Sequence, residues 1–344
     1  MAFKTFDPKQ KIENLYSTVA EPMWSDAVGT LTTFFTGSTQ NTNNGKYYND
    51  VYTTTDDSLE TQFSVTYGHR LGYGSEASAT AGTSNPTKGI YSQFRQVLLP
   101  PESTQFSFGG FLSDDFYAIT IQRARYREKV DPGNWELHLA SGSGANSNTI
   151  RLIDDSGANT DSSLGNSKRE FNIVSGSVAN GIHTTSTATA TATTSGSYGL
   201  FYPEMGIILL NPNALASGSG NIPSSHYIEP TEVSATTNNF NHRKLFNSVK
   251  SGSYFAARRE EQKRSSFYFC EIRSAEFNHS QNPSFVTGTN AELVNSSFIA
   301  EPKTYLTSVG LYNDNNELLA VAKLSKPFQK DPNTEALIKV RLDY

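Results

Sequence analysis

Cysteine is almost missing from this chain: one residue, Cys270, in 344. A single thiol excludes an intramolecular disulfide framework and any zinc cluster built on cysteines. Long apolar runs are missing too. The most apolar stretch, Gly206-Ile207-Ile208-Leu209-Leu210, is far short of the roughly 18 residues that cross a bilayer as a helix. Met1 to Lys11 carries Lys4, Asp7, Lys9 and Lys11 with no apolar segment after them, so no secretory signal is expected. The sequon Asn295-Ser296-Ser297 then carries no meaning. Such a chain is expected to stay in a cytoplasm or to leave it by assembling into a particle. Charge is sparse at 18%, with a net charge of -5 and a pI near 5.7. A dedicated nucleic-acid binder needs clustered basic surface, so no nucleic-acid partner is expected, and no membrane partner. Ser, Thr and Asn are abundant instead, and aromatics reach 12% (21 Phe, 17 Tyr, 2 Trp), too many for a disordered chain.

The length leaves room for two domains. Pro8 suits a first helical position, and Ile12, Leu15, Tyr16 and Val19 recur at helical spacing. This predicts a helix over 8–20, closed by Pro22, within an N-terminal helical arm at 1–29. Strand patterns follow at 31–36, 50–54 and 59–67, with a loop at 37–46. Residues 68–89, rich in Gly, Ser, Ala and Thr, read as a long loop or mobile arm. Residues 90–99 fit a short helix or a strand. Gln105–Phe108, Phe116–Arg125 and Trp135–Leu139 read as strands, and Asp131-Pro132-Gly133-Asn134 as a turn. Together these predict one antiparallel β domain at 30–155.

Apolar residues thin out after 140. Residues 184–194 hold seven Thr, three Ala and one Ser, so 156–198 reads as a low-complexity loop or arm. A second apolar block opens at Tyr198–Tyr202 and begins a C-terminal β domain at 199–344. In it, 254–264 reads as a short charged helix running into a strand at 266–272. Tyr305–Tyr312 and Leu318–Leu324 read as a hairpin about Asn313-Asp314-Asn315-Asn316, with Ala336–Leu342 finishing the sheet. The expected fold is mainly β: antiparallel sheets in sandwich-like lobes, with short helices and long Ser/Thr/Gly-rich loops.

No constellation of an enzyme appears. G-x-S-x-G, H-E-x-x-H and the phosphate-binding G-x-x-x-x-G-K-[ST] are all missing, and Gly68, Gly72 and Gly74 do not match the dinucleotide fingerprint. The six histidines (His69, His138, His183, His226, His242, His279) never fall at i, i+3 or i, i+4 spacing, so each reads as a surface or core-edge residue. Aspartate pairs stand at 56–57, 114–115 and 154–155. Adjacent carboxylates on a strand point to opposite faces, so solvated turns are expected rather than shared protons. Residues 154–161 have the oxygen ligands of a calcium loop without its spacing. Arg123, Arg125, Arg127 and Lys129 would share one strand face; with only Tyr126 between them, they read as a solvated face or subunit contact. Cys270, beside Tyr268-Phe269, reads as a buried small hydrophobe. No catalytic, cofactor-binding or metal-ligating residue is expected. A polysaccharide hydrolase would need two carboxylates roughly 5–9.5 Å apart, and no pair is singled out.

Residues 255–344 are the informative part. They hold Phe255-Ala256-Ala257-Arg258-Arg259-Glu260-Glu261, then Glu276-Phe277-Asn278-His279-Ser280-Gln281-Asn282-Pro283-Ser284-Phe285. After them comes the run from Thr304-Tyr305-Leu306-Thr307 through Gly310-Leu311-Tyr312 and Leu318-Leu319-Ala320-Val321-Ala322-Lys323-Leu324 to Pro327. This stretch resembles virion structural proteins of tailed bacteriophages, especially the T-even-like contractile-tailed phages of cyanobacteria. Residues 47–139, including Tyr47–Tyr52 and Trp135-Glu136-Leu137, are similar to the same proteins. The resemblance carries no catalytic motif. It implies that Tyr305, Gly310, Leu311, Tyr312, Asp314, Leu318, Leu319, Lys323 and Pro327 are packing and turn residues of an assembly motif.

The function it implies is that of a virion structural subunit, a baseplate wedge or peripheral baseplate component assembled in the host cytoplasm. Its partners would be other tail or baseplate subunits, in symmetric homo- or hetero-oligomeric copies, with no cofactor. Loops at 68–89, 140–165 and 180–198 would order on docking. The alternative is a fibre adaptor or host-surface glycan binder, for which Tyr73, Tyr91 and Tyr198 would offer aromatic faces unless they pack under their loops.

Overall fold

A computed structural model describes residues 4–37, 47–54, 60–74, 86–140, 149–156, 170–178, 196–216, 228, 230 and 240–343. The Thr/Ala run at 184–194, His183, His226, the pair at 56–57, and most of the expected loops lie outside these residues. The chain divides into two units, one of Val19–Glu261 and one of Met1–Thr18 with Gln262–Tyr344. This division replaces the expected one.

The N-terminal segment is not a helix. Asp7 caps a single 3-10 turn at Pro8–Gln10, its carboxylate accepting the Lys9 N–H at 2.9 Å. The chain then runs extended as β1, Lys11–Pro22. Ile12, Leu15 and Tyr16 remain exposed, so their helical spacing marks no buried stripe, and pairing with the strand at 255–272 decides the backbone. β2 (Thr30–Leu31), β3 (Phe35–Thr36), β4 (Tyr48–Tyr52) and β5 (Phe63–His69) follow. The ambiguous segment at 90–99 belongs to α1, Pro86–Leu98. β6 (Phe106–Phe108) and β7 (Phe111–Ser113) form a small hairpin.

β8 covers only Asp115–Ile121. The chain then turns through α2, Arg123–Tyr126, which closes with Arg127 at φ +53°. The basic residues therefore do not alternate along one strand. β9, Lys129–Ala140, runs straight through the expected turn. Between the pairs Val130–Arg259 and Trp135–Ala257, residues 131–134 bulge out of register, with Gly133 at φ +80°. Asp154 fixes the bulge by accepting the Gly133 N–H at 2.8 Å. Next come β10 (Thr149–Asp154), β11 (Phe171–Ser175), β12 (Gly199–Tyr202), β13 (Ile207–Leu210), α3 (Pro212–Leu215) and α4 (Asn241–Gly252). β14, Phe255–Ile272, absorbs the segment that reads as a charged helix. Its backbone is claimed by β9 and β2, and such pairing overrides helix propensity. β15 (Val286–Thr287), β16 (Glu292–Leu293), β17 (Thr304–Tyr312), β18 (Leu318–Lys330) and β19 (Ala336–Asp343) complete the order.

In the unit Val19–Glu261 one antiparallel sheet runs β14-β9-β10-β11-β12-β13-β8-β5-β4-β3. β12 and β13 sit between β11 and β8, so no boundary falls at 199. β8 shows the layering. Tyr117, Ile119 and Ile121 join the core that also holds Leu245 and Val249 of α4; Phe116 and Ala118 face the other way, with Tyr91 of α1. Strands covered on both faces need no polar alternation, which explains the run Ile207-Ile208-Leu209-Leu210. The sheet also curls on itself. Phe63 of β5 and Phe255 of β14, far apart in strand order, meet at 5.4 Å, and Trp24 packs on both. The Trp24 indole N–H donates to the Phe255 carbonyl at 3.1 Å. The fold is thus mainly β and antiparallel, as expected.

In the other unit, β14 from Ser265 to Ile272 pairs with β19, and β1 is its other neighbour. The hairpin β17–β18 forms a separate two-stranded sheet. β19 therefore does not finish the hairpin's sheet. Its alternating Leu337, Lys339 and Arg341 suit the register along β14 instead.

Candidate functional site

The nine residues expected to form the assembly motif all lie on or beside β17–β18. Asn313 ties the turn. Its side-chain oxygen accepts the N–H groups of Asn315 (3.1 Å) and Glu317 (2.7 Å), and its amide donates to the Glu317 carboxylate at 2.6 Å. Asn316 takes the left-handed conformation at φ +61°, which Asn tolerates better than most residues. Asp314 is an exposed member of that turn. Gly310 lets the Tyr312 ring lie over the strand: a Cβ there would stand 2.9 Å from the ring and 3.3 Å from Leu318. Tyr312 pairs with Leu318 and Leu311 with Ala320, so Leu319 is the extra residue of a bulge. A second irregularity separates the pairs Ser308–Lys323 and Leu306–Phe328; Pro327, which has no N–H to donate, sits inside it.

This unit carries little core. Among the described residues its buried apolar side chains are Ile272, Phe285, Leu311 and Val340, whereas Tyr305, Leu318, Leu319, Val321, Ile299 and Leu337 are between 51% and 77% exposed. Lone exposed leucines are ordinary, but a concentration of them marks a surface that another molecule covers. A two-stranded ribbon is at best marginally stable without such cover.

One buried residue of this unit has no signal in the sequence. Lys330 is fully buried, and its ammonium donates to the Ser274 carbonyl (2.8 Å), Asn278 Oδ1 (2.8 Å) and the Asp331 carbonyl (2.6 Å). Those three bonds pin the loop after β14, and Thr304 adds a bond from its hydroxyl to the Phe277 carbonyl at 2.7 Å. In the sequence Lys330 looks like its exposed neighbours Lys323 and Lys326.

The other unit holds a polar cavity of about 290 Å³, lined by His69, Tyr73, Leu112, Asp114 and Asn213 among others. Asp114 Oδ1 accepts from Arg70 and, at 2.7 Å, from Gln105; the Arg70 bond holds its carboxyl below the usual range. Asp115 is buried and accepts from the Tyr67 and Ser113 hydroxyls, each at 3.0 Å. The two carboxylates bind different partners: Asp114 lies in the bend between β7 and β8, and Asp115 opens β8. The Leu71 N–H donates to His69 Nδ1 at 3.0 Å, and burial pushes that imidazole's pKa down, so a neutral ring carries its proton on Nε2. Tyr73 is 45% exposed and packs on His69. Tyr91 and Tyr198 are buried, and burial pushes the Tyr91 phenol up to about 12. Of the three aromatic faces considered, only Tyr73 is available.

The pair at 154–155 also binds different partners. Asp154 is buried, accepting the Gly133 and Ser156 N–H groups, and that burial raises its pKa; Asp155 takes both the N–H and the side-chain amide of Asn172 at 3.0 Å. Each residue of the basic run has a partner within this unit, while Arg123 and Arg127 stay exposed. Arg125 pairs with Glu60 at 3.0 Å, Arg127 with Glu261 at 3.1 Å and Lys129 with Glu260 at 2.9 Å, while Arg123 donates to the Glu204 carbonyl at 3.1 Å. Cys270 is half-buried rather than buried, on the part of β14 where it pairs with Ile338 of β19. Among the described residues no group of three His, Cys, Asp or Glu side chains gathers as a metal site. No family model, curated protein or solved structure matches the chain.

Proposed function

We propose that this chain is a structural subunit of a bacteriophage virion, a wedge or peripheral component of the tail baseplate that works by subunit assembly. The observation that carries the reading is the unit built on β17, β18 and β19: a β structure with little core and its large apolar side chains laid outward. Such a surface is stabilised only when another subunit removes it from water. The resemblance of residues 255–344 to virion proteins supports the same reading, and it makes the partners other tail or baseplate subunits in symmetric copies. Among the described residues no helix is long and apolar enough to cross a membrane.

Quantitative mass spectrometry of density-purified particles of the encoding phage tests this reading. A copy number near a multiple of six, counted against the tail-tube protein, is expected. A count near zero would overturn the reading. The cavity beside Tyr73 favours a second reading, a fibre adaptor that binds host-surface glycans, with the phenol ring as a stacking face and Asp114 and Asn213 as hydrogen-bonding groups. Glycan-array binding by the full chain that is lost in Tyr73→Ala would support it.

A further inference from the structure

β17 is an open edge. It pairs with β18 on one side, and among the described residues its sheet has no third strand. An edge strand presents a row of backbone N–H and C=O groups that template another strand, and proteins blunt such edges with charge, proline or brevity. Among the described residues, other edges are blunted in those ways. β1 carries Lys11, Glu13, Glu21 and Pro22, β18 carries Lys323, Lys326 and Pro327, β19 carries Lys339 and Arg341, and β3 is two residues long. β17 is nine residues, Thr304-Tyr305-Leu306-Thr307-Ser308-Val309-Gly310-Leu311-Tyr312, with no charge and no proline. Its composition favours extended structure, and the exposed Leu318, Leu319 and Val321 lie on the hairpin beside it.

The strand that fits this edge is the same strand of a second copy. Antiparallel pairing over all nine residues centres on Ser308. Ser308 then faces its own counterpart, Leu306 faces Gly310, Thr304 faces Tyr312, Thr307 faces Val309 and Tyr305 faces Leu311, so every facing pair is uncharged and the aromatic of each strand end meets an aliphatic or smaller residue. No like charges oppose each other, which a two-fold axis would force on any charged strand at its centre. The unit as a whole raises no charge barrier either: Lys and Arg number 12 in it against 11 Asp and Glu.

We propose that β17 is the seam of a two-fold dimer of this chain, in which two hairpins join into a four-stranded sheet centred on Ser308. The inference rests on the assembly reading for the outward unit, and adds the identity of one partner. Ser308 is exposed in the single chain, so substitutions there leave the fold intact, which far-UV circular dichroism checks.

The test is the mass of the full-length chain in solution, by sedimentation, for wild type, Ser308→Lys, Ser308→Glu and an equimolar mixture of the two variants. A wild-type dimer is expected. Either variant alone should raise the dissociation constant at least about 100-fold, because two like charges meet on the axis, and the mixture should recover the dimer. In a Cys270→Ser background, Ser308→Cys should cross-link two chains under mild oxidation. A wild-type monomer at its highest soluble concentration would overturn the seam. So would a dimer that persists in Ser308→Lys. Either result leaves the virion reading standing if the chain is present in particles; absence from particles removes that reading whatever the oligomeric state.

Discussion

Replacing Lys330 with Met keeps the length and most of the volume of the side chain while removing its three donors. The ammonium satisfies the Ser274 and Asp331 carbonyls and Asn278 Oδ1, all within 2.8 Å, from a fully buried position. A hydrogen bond from a charged donor contributes about 1.5–3 kcal/mol net, and each buried acceptor left alone costs about 1–3 kcal/mol. Against this, methionine escapes the several kcal/mol spent on dehydrating the ammonium. The balance is a loss of about 3 kcal/mol. That is a large share of the roughly 5–15 kcal/mol that holds a domain together, and larger still for a unit with so thin a core. Because two units need not unfold together, amide hydrogen exchange should accompany urea denaturation. The loop at 273–279 should lose protection first, and the apolar pairs of β17 and β18 should follow. Lys326→Met, at an exposed position, serves as the control and should shift stability by less than about 0.5 kcal/mol. A Lys330→Met loss under about 1 kcal/mol, with the loop as protected as in wild type, would refute the reasoning.

Three further outcomes can be measured. Gly199→Ala should abolish soluble folded protein, because the new Cβ would fall deep inside contact with the Leu209 carbonyl oxygen and 2.9 Å from Ile173 Cδ1; recovery of a wild-type melting curve would contradict the packing of β12 on β13. Glu136 is nearly buried, and burial alone would raise its pKa. Bonds from His138 at 2.6 Å, the Val178 N–H at 2.8 Å and the Ser177 hydroxyl at 3.1 Å outweigh that and hold it below its ordinary value near 4.5. Its stabilisation is therefore fully present above that value and lost as the pH falls through the folded one. Glu136→Gln should flatten the acid limb of the urea stability profile between about pH 6 and pH 3, and an unchanged limb would remove the assignment. Asn313→Ala should destabilise the hairpin by about 1 kcal/mol, whereas Asp314→Ala should be neutral; equal effects in exchange rates along β17 would refute the distinct role given to Asn313.

Much of the β framework was legible locally. Phe116–Arg125 and Tyr305–Tyr312 combine β-branched and aromatic residues with a clear turn signal beside the second, and both hold strands, the first only as far as Ile121. The failures share one cause. Residues 8–20 and 254–264 have helical spacing and good helix formers, yet both became strands because β1 and β14 are neighbours in one sheet. Helix propensity is worth under a kcal/mol per residue, and a strand partner supplied from more than 200 residues away outweighs it. The Arg123–Lys129 alternation failed for a related reason, since Glu60, Glu204, Glu260 and Glu261 are brought to it only by the fold.

Composition and pattern by themselves determined the mainly β class, the absence of disulfides, and the hairpin with its turn, because these depend on residues within about ten positions of one another. The tertiary structure alone decided which strands pair, that 199–210 joins the sheet of 115–121, that Lys330 is buried while Lys326 is not, and that β17 is left as an unguarded edge. Those outcomes depend on which segment arrives alongside another, and the loop-closure cost of that arrival grows too slowly with separation to leave a local trace.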